Sequence, residues 1–295
     1  MLSDLWQTST RKRRADNPSA GPGALRLDDL CALLFEGPDV VRFLQGYLTC
    51  DVEKLSDDRW QAAAVCNLQG RVIAFGWARS RAADQIIWLV HGSLVEIVQA
   101  AMRPYLAFSK TTLKIFPTDH VLIGIIGPDL PPRIRISDTS THTPGAGIEL
   151  LESMDAVEAL AANTDRIDRD NWMTALVELR IVWLTQPASG RFLPQMLGIT
   201  ELGAVDFDKG CYLGQEVVAR AQHLGKVKRT LTPLYWSGDR PPATGGEIRN
   251  TAGREIGTLI QTTTDPHGTR VCLAVLQDQA KPPFLQQDTG LDAIF

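Results

Sequence analysis

The stretch Lys209-Gly210-Cys211-Tyr212-Leu213-Gly214-Gln215-Glu216-Val217-Val218-Ala219-Arg220 packs two glycines, a cysteine, a lysine, a carboxylate and an arginine into one turn and the start of one helix. Gly210 and Gly214 free the backbone to turn sharply. Residues 215–224 contain no Pro or Gly and carry Val217, Val218, Ala221 and Leu224 at helical spacing. Cys211 therefore stands just before a helix. There the helix dipole and the neighbouring Lys209 ammonium favour thiolate over thiol. The plainer alternative is a cysteine packed as a small hydrophobe; the polar flanks favour a functional thiol. Within the helix, Arg220 lies four residues beyond Glu216 and can pair with it, and Glu216 also complements the helix dipole. Tyr212 either stacks, donates a hydrogen bond, or packs in the core.

Outward from this stretch, the composition is that of a folded protein. The chain has 295 residues, of which 44% are hydrophobic and 22% charged, enough for two or three subdomains with real cores. A net charge of −4 gives no global pull towards nucleic acid, so an RNA role needs a local basic patch. The five cysteines, Cys31, Cys50, Cys66, Cys211 and Cys272, form no C-x-x-C pair, which argues against a disulfide framework or a self-contained metal site and suits a reducing cytoplasm. The longest apolar runs are strand-length, too short to span a bilayer, and no apolar signal-peptide core stands near the start.

Residues 1–23, with Arg11-Lys12-Arg13-Arg14, read as a mobile basic tail. Apolar spacing from Ala24 to Phe35 begins the ordered chain, and Asp39 is placed to cap a helix that carries Phe43 and Leu44 and ends at Gly46. Residues 61–90 read as an antiparallel meander, residues 92–102 as a helix stopped before Pro104, and residues 111–116 and 121–126 as strands. Residues 131–147 read as a loop between subdomains, followed by a strand at 148–151 and helices at 155–162 and 169–179. After the signature helix, β-rich segments at 230–236, 247–250, 256–262 and 270–275 suggest a small closed barrel.

The signature, extended over residues 192–231, resembles that of the YgfZ-type folate-binding proteins, relatives of the aminomethyltransferase of the glycine cleavage system. Two further blocks match in family order: Phe43-Leu44-Gln45-Gly46 with Leu48-Thr49-Cys50-Asp51-Val52, and Asn67-Leu68-Gln69-Gly70-Arg71-Val72. The resemblance implies an α+β, aminomethyltransferase-like folate-binding body of two intertwined subdomains over residues 24–228, with residues 59–127 as an inserted subdomain, and a C-terminal β-barrel over residues 229–295. It implies tetrahydrofolate or a derivative as the cofactor, with Gln45, Gly46, Arg71, Arg180, Arg220 and Lys226 as candidate contacts. The family's transferases place a carboxylate after the glycine turn of the third block, where this chain has Ala74 and Phe75. Neither can move a proton, which argues against an aminomethyl-transfer enzyme. Two more departures, Leu179-Arg180-Ile181-Val182 and Gly198-Ile199, lie near the expected cavity.

These features imply a cytoplasmic, folate-binding accessory protein that supports assembly or repair of iron–sulfur enzymes and touches tRNA modification only indirectly. In that reading Cys211 is a transient cluster or persulfide ligand, or a redox-sensitive thiol; one cysteine cannot hold a cluster alone, so a partner or folate completes any cluster site. The alternatives are a folate-dependent one-carbon transferase using Asp51 or Glu216, and direct tRNA binding through the basic tail and Lys226, Lys228 and Arg229.

Overall fold

The computed structural model describes residues 11–12, 22–116, 120–136, 145–225, 227–264, 268–282, 284–286 and 289–293. Most of the expected basic tail, and Lys226, lie outside the described residues.

The chain begins in one sheet, leaves to build a second, and returns. Strands β1 (Arg11–Lys12) and β2 (Gly23–Arg26) belong to the first sheet. Then β3 (Leu30–Glu36), helix α1 (Val40–Gln45), β4 (Gln61–Cys66), β5 (Val72–Ala82), β6 (Gln85–His91), α2 (Val95–Leu106) and β7 (Thr112–Ile115) make the second, ordered β4-β5-β6-β3-β7 and antiparallel throughout. With β8 (Val121–Gly127), β9 (Gly145–Leu151), α3 (Met154–Asn163) and β10 (Asp165–Arg166) the chain rejoins the first sheet, ordered β1-β10-β2-β8-β9. The sheets thus cut across the expected 59–127 boundary. The earlier strand β3 pairs with β6 and β7 in the second sheet, and β8 pairs with β2 in the first.

The burial pattern explains this exchange. Val121, Ile123 and Ile125 on β8 pack with Val157 and Ala161 of α3, whereas the alternate Leu122, with Ile148 and Leu150 of β9, joins the central core. Period-two alternation on β8 therefore feeds two cores at once. Helix α4 (Arg169–Glu178) enters the central core through Trp172, Met173, Leu176 and Val177. It starts on a reciprocal cap in which Asp168 Oδ1 accepts from Asn171 N and Asn171 Oδ1 accepts from Asp168 N.

After helix α5 (Gln215–His223), strands β11 (Arg229–Trp236), β12 (Glu247–Arg249), β13 (Glu255–Thr264), β14 (Arg270–Gln277), β15 (Phe284–Gln286) and β16 (Thr289–Ala293) close into a barrel, β11-β14-β13-β12-β15-β16, shut by the β11–β16 pairing. Sequence pattern misses β15 and β16, which are too short to show alternation, yet they complete the closure. The barrel docks through Gln261: a register shift in β13 between Leu259 and Gln261 accompanies a side chain that accepts from Trp183 N at 2.6 Å and donates to Ile181 O at 3.3 Å.

Three local expectations change. Helix α2 runs through Pro104 instead of stopping before it. Only two helical residues follow the proline, and Val98 and Met102 already anchor the helix in the core. Asp39 precedes α1 but makes no cap bond; its Oδ2 accepts from Lys110 N at 3.0 Å. Strand β9 begins at Gly145, inside the segment read as a loop, and Gly147 also bridges to Arg135. Among the described residues, no helix is long and apolar enough to cross a membrane.

Candidate functional site

Three sequence blocks far apart in the chain meet at the turn before α5. Asn67 builds the first wall: its Oδ1 accepts from Gln69 N at 3.0 Å and Arg71 N at 2.9 Å, folding residues 67–71 into a tight loop. Gly70 and Gly214 both sit in the left-handed region, at φ +69° and +84°. They also face one another. A Cβ on Gly214 would stand 2.3 Å from Asn67 O, and one on Gly70 would stand 3.0 Å from Val217 Cβ, so only glycines allow this approach.

The second wall is the loop after α1, and Lys209 fastens it. The Lys209 side chain is buried, 8% exposed, and its Nζ donates to Gln45 O, Leu48 O and Cys50 O at 2.9, 2.7 and 2.7 Å. An ammonium has three protons, and all three are committed. Lys209, expected from sequence to favour the thiolate through its charge, thus spends its hydrogen bonds on clamping this loop. Burial holds its pKa below the ordinary lysine value, against the opposing pull of Cys50, Asp51 and Asp206. Leu213 N donates to Gly46 O at 3.1 Å, adding a backbone tie. Gln45, a candidate folate contact, uses both ends of its amide within this loop, donating to Asp51 Oδ1 and accepting from Val52 N, each at 2.8 Å.

On this clamped turn Cys211 is exposed, in contrast to Cys50, Cys66 and Cys272, whose burial pushes each thiol up to about 12. Among the described residues, no group of three or more His, Cys, Asp or Glu is arranged to hold a metal ion. Tyr212 turns inward to the core, lies 5.3 Å from Lys209 Nζ, and has a buried hydroxyl without a partner; its burial raises the phenol pKa, with Cys66 adding to the effect. Gln215 accepts from Tyr212 N at 3.3 Å and so closes the turn. Glu216 and Arg220 pair at 2.8 Å on the solvent face of α5, a contact worth about 0.3–0.5 kcal/mol.

Of the four candidate cations, three lie among the described residues. Arg71 is exposed and donates to Arg191 O, and exposed Arg180 ends α4 with a left-handed backbone, φ +54°. Arg220 is on α5, and Lys226 is outside the described residues. Ala74 and Phe75 are buried in β5, with the Phe75 ring tilted against Trp77 at 5.3 Å between centroids.

That aromatic contact leads to a site sequence reasoning misses. Trp183 lies 6.0 Å from both Trp77 and Trp172, centroid to centroid, and its Nε1 donates to Asp29 Oδ2 at 2.9 Å. The same oxygen accepts from Arg169 Nη2 at 2.6 Å and faces His91 Nε2 at 3.5 Å. Burial opposes ionisation of Asp29, yet bonds from His91, Arg169 and Trp183 together hold its carboxyl well below the usual carboxylate range. Its other oxygen, Oδ1, is buried and has no partner, as are the indole N–H groups of Trp77 and Trp172. These residues come from five separate segments, and none carries a motif; only the chain's seven tryptophans hint at them.

No protein-family model matches the chain. It is similar to proteins called tRNA-modifying protein YgfZ: 30% identical over 265 residues to that of Cronobacter sakazakii, covering 80% of this chain and 79% of the relative. It is 27% identical over 286 residues to that of Klebsiella pneumoniae and 28% over 289 residues to that of Escherichia coli O157:H7, each covering 88% of this chain and 86% of the relative. In fold it is similar to the glycine cleavage system aminomethyltransferase T of Bartonella henselae, with a TM-score of 0.66 at 14% identity over 99% of this chain and 88% of that one. With the signature turn, the aminomethyltransferase-like fold and a relative of this identity along most of its length, the chain belongs to the YgfZ family.

Proposed function

We propose that the chain is a tetrahydrofolate-binding accessory protein that supports assembly or repair of iron–sulfur enzymes and affects tRNA modification through them. The observation that carries this reading is an exposed thiol, Cys211, on a turn immobilised by Lys209 and by the Gly70–Gly214 contact, in a fold that has Ala74 and Phe75 where its transferase relatives carry a carboxylate. The relatives' name, tRNA-modifying protein, fits the same reading. The residues present suit a pterin. Its amino and N3–H edge asks for a carboxylate oxygen, which Asp29 Oδ1 has unpaired; beside it Trp172 and Trp183 meet edge to face, so a ring bound there would lie against an indole edge and not between parallel walls. Bound folate would supply a one-carbon carrier; the chain's own residues would bind and orient it. A partner protein completes any cluster site, since Cys211 is one ligand.

Calorimetric titration with tetrahydrofolate tests the first half. Binding at micromolar Kd or tighter, about −8 kcal/mol, is expected, weakened by Asp29→Asn and unchanged by Cys211→Ala. Absence of binding to the wild-type protein would remove folate from the function. In a deletion strain, Cys211→Ala is expected to abolish rescue of iron–sulfur enzyme activity at unchanged protein level, and full rescue would remove the thiol. The transferase reading retains one observation in its favour, the ionised Asp29 beside His91. Turnover of methylene-tetrahydrofolate with amine acceptors would establish it. Asp51 and Glu216 are weaker candidates, because Asp51 braces its own loop and Glu216 faces solvent.

A further inference from the structure

Beside the signature turn, on the outer side of the loop that Lys209 clamps, runs an open groove of about 360 Å³, within the range of small-ligand sites. Its apolar lining is aromatic. Phe43 and Tyr47 have ring centroids 4.9 Å apart, Tyr47 and Tyr105 are 5.4 Å apart, and Phe108 completes the row. Phe108 is 92% exposed and Tyr105 47% exposed, so flat hydrophobic faces are held in water at a place where burial would stabilise them. Its apolar lining residues are all aromatic, so the groove offers ring faces to a planar ligand.

The rim offers one cation and one carboxylate in each depression, a charge-balanced pair and not a basic patch. Exposed Arg42 lines the groove, and exposed Arg103, with Glu96, lines the adjoining depression on α2. Asp39 lines the same groove; Lys110 N occupies its Oδ2, leaving Oδ1 to accept from a ribose hydroxyl. We propose that this groove stacks an unpaired base of single-stranded RNA on its exposed aromatic rings, Tyr105 and Phe108, with Arg42 on the adjoining phosphate and Asp39 on the 2′-hydroxyl. Rings that accept any base face, a cation for the backbone and an acceptor for the ribose are the parts of a single-strand binding platform. Gly46, part of the groove, accepts from Leu213 N, so a strand bound here passes beside the turn that carries Cys211.

Fluorescence anisotropy with labelled hexaadenylate RNA tests it. The full-length protein is expected to bind the strand, and Phe108→Ala to weaken binding about tenfold, the loss of one stacked base. Arg42→Ala is expected to lower the slope of log affinity against log salt by about one. Because Phe108 is exposed, its alanine variant is expected to melt with the wild type. Three results would overturn the proposal: no binding of the wild-type protein at millimolar concentration, unchanged affinity in Phe108→Ala, or equal binding of the hexadeoxyadenylate. Concentration-dependent self-association that Phe108→Ala abolishes, seen by sedimentation without RNA binding, would give the groove to a second copy instead.

Discussion

Lys209 shows how one side chain can define a site without doing its chemistry. Its position two residues before Cys211 suggests an activator, but the ammonium lies under the turn and donates to three carbonyls of residues 45, 48 and 50. Replacing it with methionine would keep the volume and leave those three acceptors buried without a donor. Lys209→Met is therefore expected to lose about 2–4 kcal/mol in urea unfolding. A midpoint unchanged from wild type would mean that water reaches the carbonyls and the clamp is dispensable. Cys211 is legible from sequence as a candidate functional thiol because its neighbours are polar, whereas its exposure is a property of the fold. Asp29 is not legible, because its significance lies in Trp183, Arg169 and His91, which are remote in the chain.

At the scale of elements, the signature turn works because two loops approach backbone to backbone. Gly214 starts α5 in a left-handed conformation against Asn67 O and Gly70. Gly214→Ala combines an unfavourable φ with a Cβ that would meet a carbonyl oxygen at 2.3 Å, so the loop must move. The expected result is a loss of about 2–3 kcal/mol together with a large rise in the reactivity of Asn67–Arg71 amides to hydrogen exchange. Retained protection in that loop would show that the contact is not essential. Helix existence was readable from periodicity, and α5 and α4 lie where spacing places them. The end of α2 was not, because the cost of Pro104 depends on how much helix follows it and on what Met102 packs against.

For the whole molecule, the critical junction is between body and barrel. Gln261, 3% exposed, satisfies Trp183 N and Ile181 O from the barrel side, and Arg191 reaches Gly245 O at 2.6 Å from the body side. Gln261→Leu would strand two buried backbone groups at once, beside the indole that holds Asp29. We expect a loss of about 2–3 kcal/mol and weakened tetrahydrofolate binding, measured by calorimetry on the folded variant. Stability and binding both unchanged would show that the barrel does not support the indole cluster.

The glycine turn, the helix after it, the barrel's longer strands and the family resemblance were all legible in the amino-acid order. All of these rest on local patterns: φ preferences of glycine, a 3.6-residue apolar period, alternation along a strand. Which strands share a sheet, where the Lys209 ammonium goes, and that Asp29 meets Trp183, Arg169 and His91 were settled by packing alone. Those outcomes depend on contacts between residues far apart in the chain, where each partner's environment is created by the other. Burial and hydrogen-bond satisfaction are properties of the packed whole, so no single segment carries them.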